Sequence, residues 1–296
     1  MSTSEGTRPE APGPGIPAIL GGLIRIVHPF PSLLDAAVTG AVVLVAGGTP
    51  ALAIRLAVSM FALQGAIGTA NDLVDEPVDR VAKPAKPLPA GMVSRPAAGV
   101  LAATLALVGL GLASLSGALL LGLAAVILGI GLVYDLRLKG TIWSWLPFAV
   151  GIPLLPVFAW LGATGGLPRA FALLLPAGVI AGASLAMANL LADLERDEQA
   201  GVETLATRLG PVRTWRLASS LLALVLLSAV ASLVALGGSG GGVALVAVAV
   251  AVVFAGMIVG RDAGPRGRER AWELEATGIG LLAAGWIAAL AGTASL

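Results

Sequence analysis

The 296-residue chain contains no cysteine and a single histidine, His28. Without thiols it has no disulfide framework, no thiolate metal site and no thiol nucleophile, and cysteine usage carries no information about its redox compartment. Aromatic residues make up 4% of the chain, leaving few platforms on which bases could stack, and a formal net charge of +1 lacks the basic excess of a nucleic-acid-binding surface. We expect no nucleic-acid partner. Charge itself is scarce, at 12% of residues against 57% apolar, and the mean hydropathy is +0.94. Such a composition is foreign to a soluble domain of this length and usual for a membrane protein.

What the chain has in quantity is apolar runs. Nine stretches approach the roughly 20 residues needed to cross a bilayer: 26–47, 51–70, 96–115, 117–134, 143–162, 170–191, 214–236, 242–260 and 274–294. We therefore expect an all-α, multi-pass membrane protein with nine transmembrane helices around a central cavity. Residues 1–16, rich in Pro, Gly and Ser, read as a disordered tail, and 17–296 as one transmembrane domain. Apart from Arg55 and Arg169, every Lys and Arg lies in the N-terminal segment or in the loops after the second, fourth, sixth and eighth spans. By the positive-inside rule these segments face the cytoplasm, and Trp143, Trp145, Trp215 and Trp272 fall at span starts as an interfacial belt would. Gly and Ala within the spans fit close helix packing.

The acidic residues are equally one-sided. Two clusters follow spans two and six, and both contain the pattern N-x3-D-x3-D: Asn71, Asp75 and Asp79, then Asn189, Asp193 and Asp197. On a helix, steps of four drift by only about 40°, so each set projects from one face. Pro77 falls inside the first set and is expected to kink or break that helix. The repeat after spans two and six suggests two parallel halves meeting at a cavity. Carboxylates and carboxamides without thiols make a hard-oxygen site suited to Mg2+. Lys83, Lys86, Arg137, Lys139 and Arg208 lie between or beside the clusters and could neutralise a diphosphate. The expected ligand is a diphosphate with an apolar tail in the membrane. A single D-x3-D at a helix end is common as solvated surface; its repetition, with Asn in the same place and on the same side, argues for a site.

With these motifs the chain resembles the UbiA superfamily of intramembrane prenyltransferases. NDLVDEPVDRVAKPAKPLPAG at 71–91 is similar to the family's first motif, with Lys86 where Arg is often found; NLLADLERDEQAGVETLATRLG at 189–210 is similar to the second; and YDLRLKGT at 134–141 looks like the family's tyrosine–lysine loop. The resemblance implies Mg2+-dependent transfer of a prenyl group from a prenyl diphosphate to a lipophilic, aromatic acceptor of the quinone-precursor type. It maps Asn71, Asp75 and Asp79, supported by Asp72, onto the first metal–diphosphate site and Asp193 and Asp197, with Asn189, onto the second. It gives Tyr134 a role near the diphosphate or the carbocation. Quinone-type members commonly carry basic residues where this chain has Ala192 and Val202. The alternatives are a terpene cyclase of the same fold, separable by its products from the donor alone, and a small transporter, which the one-sided acidic clusters argue against.

Three ionisable residues have split readings. His28 opens the first span, where an interfacial role competes with acceptor contact. Asp35 lies inside the first apolar stretch, where an ionisable group is costly and functional by default. Arg55 reads as snorkelling to the outer headgroups.

Overall fold

The computed structural model describes residues 15–238 and 240–291, so most of the expected tail, residues 1–14, lies outside the described residues. Among the described residues all regular secondary structure is helical. Its helices are α1 (Ile16–Ile26), α2 (Pro29–Val45), α3 (Pro50–Ala82), α4 (Arg95–Ser114), α5 (Ala118–Val133), α6 (Leu146–Thr164), α7 (Phe171–Ala192), α8 (Leu194–Gln199), α9 (Leu205–Leu209), α10 (Pro211–Leu236), α11 (Gly241–Arg261) and α12 (Pro265–Leu290). Eight helices are long and apolar enough to span a membrane, and counting the bent pair α1–α2 as one span brings the number to nine.

The expected first span is thus not one straight helix. Ile16, placed in the tail by composition, opens α1, and a 54° bend separates α1 from α2. His28 stands at the corner in the left-handed conformation (φ 49°), and Pro29 and Pro31 favour a fresh helix start beyond it. Large apolar side chains such as Leu107, Val234 and Ile258 face outward, the inverse of a soluble surface, while Leu56, Met60 and Leu63 of α3 and Phe158 of α6 are fully buried in the core. Because lipid is as apolar as Leu, helix association depends on close approach. At Gly285 of α12 a Cβ would stand 3.0 Å from the backbone nitrogen of Val246 in α11, so a larger residue would force the two helices apart.

The two copies of the repeated motif depart from expectation in opposite ways. In the first, the break expected at Pro77 does not occur: α3 runs through Pro77 to Ala82. Proline leaves the carbonyl four residues earlier, that of Leu73, without its helical donor. Arg95, the first residue of α4, supplies one: its Nη1 donates to Leu73 O at 3.1 Å and pairs with Glu76 at 2.6 Å. The second copy, expected on one helix, is divided between two: α7 ends at Ala192, Asp193 leaves helical geometry (φ −95°, ψ 1°), and α8 resumes at Leu194.

Candidate active site

The motif-bearing ends of α3 and α7 open onto one cavity of about 540 Å³. Asn71 and Asp75, one turn apart on α3, line its mouth beside Asn189 and Asp193, one turn apart at the end of α7. Lys83 and Asp193 stand 3.9 Å apart, so the first motif's loop meets the second motif's carboxylate directly. Below this polar mouth the lining contributed by α5, α6 and α7 is apolar, with Ile127, Ile152 and Leu185 among it.

Four cations share the mouth. Lys139, just beyond the π-helical turn Tyr134–Leu138, pairs with Asp75. Arg196 pairs with Asp193 at 2.7 Å and approaches Asp197 to 3.5 Å. Lys83 lies in a partly buried setting, and this desolvation holds its ammonium below the usual lysine value against the opposing pull of Asp193. Burial acts the same way on Lys86, but its hydrogen bonds to Asp72 (2.8 Å) and Asp79 (2.7 Å) prevail and lift it above the usual value. Burial pushes the Asp197 carboxyl up, with Arg196 opposing.

The structure divides the expected site residues. Asn71, Asp75, Lys83, Lys86, Tyr134, Lys139, Asn189 and Asp193 all line the cavity. Asp72 and Asp79, 3% and 4% exposed, are not part of the lining and clamp Lys86, which is, between them. Asp197 is likewise buried outside the lining and engages Arg196. Arg137 is exposed on the π-helical turn, and Arg208 pairs with the exposed Glu203, so neither cation is brought to the mouth.

The donor set fits a hard cation held jointly with a phosphate. Asn71, Asp75, Asn189 and Asp193 offer only oxygen at the mouth, with cations alongside for the remaining charge. Among the described residues no three carboxylate or histidine side chains converge as a self-sufficient metal cage. A Mg2+ ion here would therefore need ligand and water oxygens to complete its shell, as it commonly does.

The sequence matches the UbiA prenyltransferase family over residues 34–275, more than half of the chain. The chain belongs to the UbiA prenyltransferase family. It is 31% identical over 201 residues to a digeranylgeranylglyceryl phosphate synthase of Methanoregula boonei, covering 65% of this chain and 70% of that protein. Its fold is similar to a UbiA homolog from Aeropyrum pernix K1 (TM-score 0.69, 21% identity, 88% of this chain and 97% of that one). It is also similar to a UbiA homolog from Archaeoglobus fulgidus bound to GPP and Mg2+ (TM-score 0.63, 17% identity, 88% and 99%). The protein is thus a multi-pass integral membrane prenyltransferase.

Three residues of this prenyltransferase contribute to the site although motif and spacing do not single them out as site residues. Asp135 accepts a hydrogen bond from Asn71 Nδ2 at 2.7 Å through Oδ1, while its Oδ2 is buried without a partner among the described residues. Its place inside the tyrosine–lysine loop is its only signal in the sequence. Arg196 lies within the second motif but off its four-residue period. His28, the sole histidine, places its Nε2 2.9 Å from Asp72 Oδ1. Gly68 makes room for that ring, because a Cβ there would stand 3.0 Å from it.

Proposed function

We propose that this prenyltransferase takes a prenyl diphosphate at the cavity mouth and transfers the prenyl group to a hydroxyl of a glyceryl-phosphate-type lipid. The observation that carries the reading is the convergence of two Asn/Asp pairs, from α3 and α7, with Lys83, Lys86, Lys139 and Arg196 above an apolar cavity. The Archaeoglobus homolog's bound GPP and Mg2+ support a diphosphate donor with a divalent cation. The Methanoregula relative's name supports a glyceryl phosphate acceptor in place of the aromatic ring expected from the motifs.

In this reading Asn71, Asp75, Asn189 and Asp193 hold Mg2+ together with the diphosphate. When bound, the metal stabilises negative charge on the leaving diphosphate. Lys83, Lys86, Lys139 and Arg196 stabilise the same charge by ion pairing, most effectively as it grows in the transition state. Asp72 and Asp79 act through Lys86, fixing its position, and Asp197 acts through Arg196. The C1–O bond to diphosphate breaks, a bond from C1 to the acceptor oxygen forms, and the hydroxyl proton leaves to solvent. Tyr134 lines the cavity and packs edge-on to Phe148 with ring centroids 5.6 Å apart, presenting an aromatic surface to the cation-like carbon. The apolar walls exclude the water that would quench that carbon. The loops bearing the site face the cytoplasm, as their Lys and Arg content supports.

The test is diphosphate release by the purified protein with Mg2+, using geranyl and geranylgeranyl diphosphates with a geranylgeranylglyceryl phosphate, a hydroxybenzoate or no acceptor. Release that requires the glyceryl phosphate is the expected result, and Asp75→Ala and Asp193→Ala should each lower it by at least a hundredfold in folded protein. Release with the donor alone, or full activity in either variant, would refute the assignment.

A further inference from the structure

The cavity has two unlike walls. Below Tyr134 and Asn189 the residues from α5, α6 and α7 are apolar, a surface suited to a prenyl chain. The wall built by α2 and α3 instead carries Asp35 and Gln64. These two helices run in opposite directions. Asp35 is seven residues beyond His28 on α2, and Gln64 is eight residues before Asp72, the partner of His28, on α3. At 1.5 Å of rise per residue, both sit at about the same depth, roughly 10 Å inward of the His28–Asp72 pair. Cβ atoms tilt toward the start of their helix, so the Asp35 side chain leans back toward the mouth, where α2 starts, while the Gln64 side chain leans the other way, toward Met60.

Both side chains are left without an adequate partner. The Asp35 carboxyl makes no hydrogen bond or ion pair among the described residues, although its backbone carbonyl accepts one from Thr39. Among the described residues the Gln64 amide reaches only the Met60 thioether, at 3.9 Å. Hydrocarbon cannot satisfy either group, and leaving a carboxyl and a carboxamide against a prenyl chain carries a desolvation cost with no return. A phosphate belongs with the cations at the mouth. Hydroxyl groups suit both side chains, because a hydroxyl can donate to the carboxyl and can accept from the amide.

We propose that Asp35 and Gln64 form an acceptor-recognition subsite that binds the hydroxyl-bearing part of a lipid alcohol, while the acceptor's anionic end remains at the mouth. This inference rests on the hydroxyl-acceptor reading above and adds the residues that choose the acceptor. The prenyl donor then occupies the α5–α6–α7 wall, and the two substrates lie side by side.

The test measures binding of 1-O-decylglycerol, with two free hydroxyls, and of its dimethyl ether, with none, to the full-length protein in nanodiscs by calorimetry. The wild-type protein should bind the diol at least tenfold more tightly than the ether. Asp35→Leu should abolish the preference, Gln64→Leu should reduce it, and Asp35→Asn, which keeps an accepting oxygen, should retain part of it. The thermal midpoint separates recognition from a structural role. Removing an unpaired carboxyl from the wall should leave the midpoint of Asp35→Leu equal to or above that of the wild type, whereas a lowered midpoint would show that Asp35 supports the fold and would overturn the proposal. So would a wild-type protein that does not discriminate, or a preference that persists in both leucine variants. Because the readout is binding without donor, failure of prenyl transfer in the diphosphate assay would count against the proposed function and leave this result separately legible.

Discussion

Arg95 offers a quantitative test of how α3 continues through a proline. Its Nη1 donates to the Leu73 carbonyl that Pro77 leaves without a helical donor, and it also pairs with Glu76. A hydrogen bond from a charged donor contributes about 1.5–3 kcal/mol. The ion pair adds under about 1 kcal/mol, because the Arg95 side chain is 61% exposed and Arg80 remains on Glu76. Arg95→Met should therefore cost about 2–3 kcal/mol in SDS-titration unfolding followed by far-UV circular dichroism. Pro77→Ala restores a backbone N–H to Leu73. In that background the same arginine substitution should cost only about 1 kcal/mol, giving a coupling of about 1–2 kcal/mol between the two positions. Equal cost of Arg95→Met in both backgrounds would refute the claim that the guanidinium replaces the missing helical bond.

Lys86→Met leaves Asp72 and Asp79 buried without their shared cation and should destabilise by about 3–5 kcal/mol in the same titration, with Lys86→Arg recovering most of the loss; a cost under about 1 kcal/mol would show that the clamp is not needed. Lys83 is held below the ordinary lysine value, so it loses its charge at lower pH than Lys86. Donor KM should accordingly rise as pH climbs toward 10.5, the ordinary lysine value, and Lys83→Gln should begin with a higher KM and lack that limb. The sign for stability is opposite: a lysine whose folded value is depressed opposes folding while protonated, so its cost disappears as pH rises through the window between the folded value and 10.5. An unchanged pH profile in Lys83→Gln would exclude this lysine as the titrating group.

Helical periodicity predicts direction about a helix's own axis, which is why the paired Asn and Asp positions at 71/75 and 189/193 are legible in the sequence. It says nothing about which neighbour meets a side chain. Asp72 and Asp79 read as metal ligands from the motif, yet the loop after α3 brings Lys86 between them. Arg137 and Arg208 lie in the same motif-bearing segments, 134–141 and 189–210, as Lys139 and Arg196, but the π-helical turn exposes Arg137, and Glu203 holds Arg208. Pro77 marks a local break that a residue 18 positions later cancels.

The membrane class, the apolar spans, the one-sided charge and the repeated oxygen-rich motif are legible in the chain alone, because hydropathy and four-residue spacing are local properties. Which carboxylates line the cavity and which are buried behind its lining follows from the tertiary structure. It alone set the bend at His28 and placed Asp35 and Gln64 at one depth on one wall, because those outcomes depend on how antiparallel helices align.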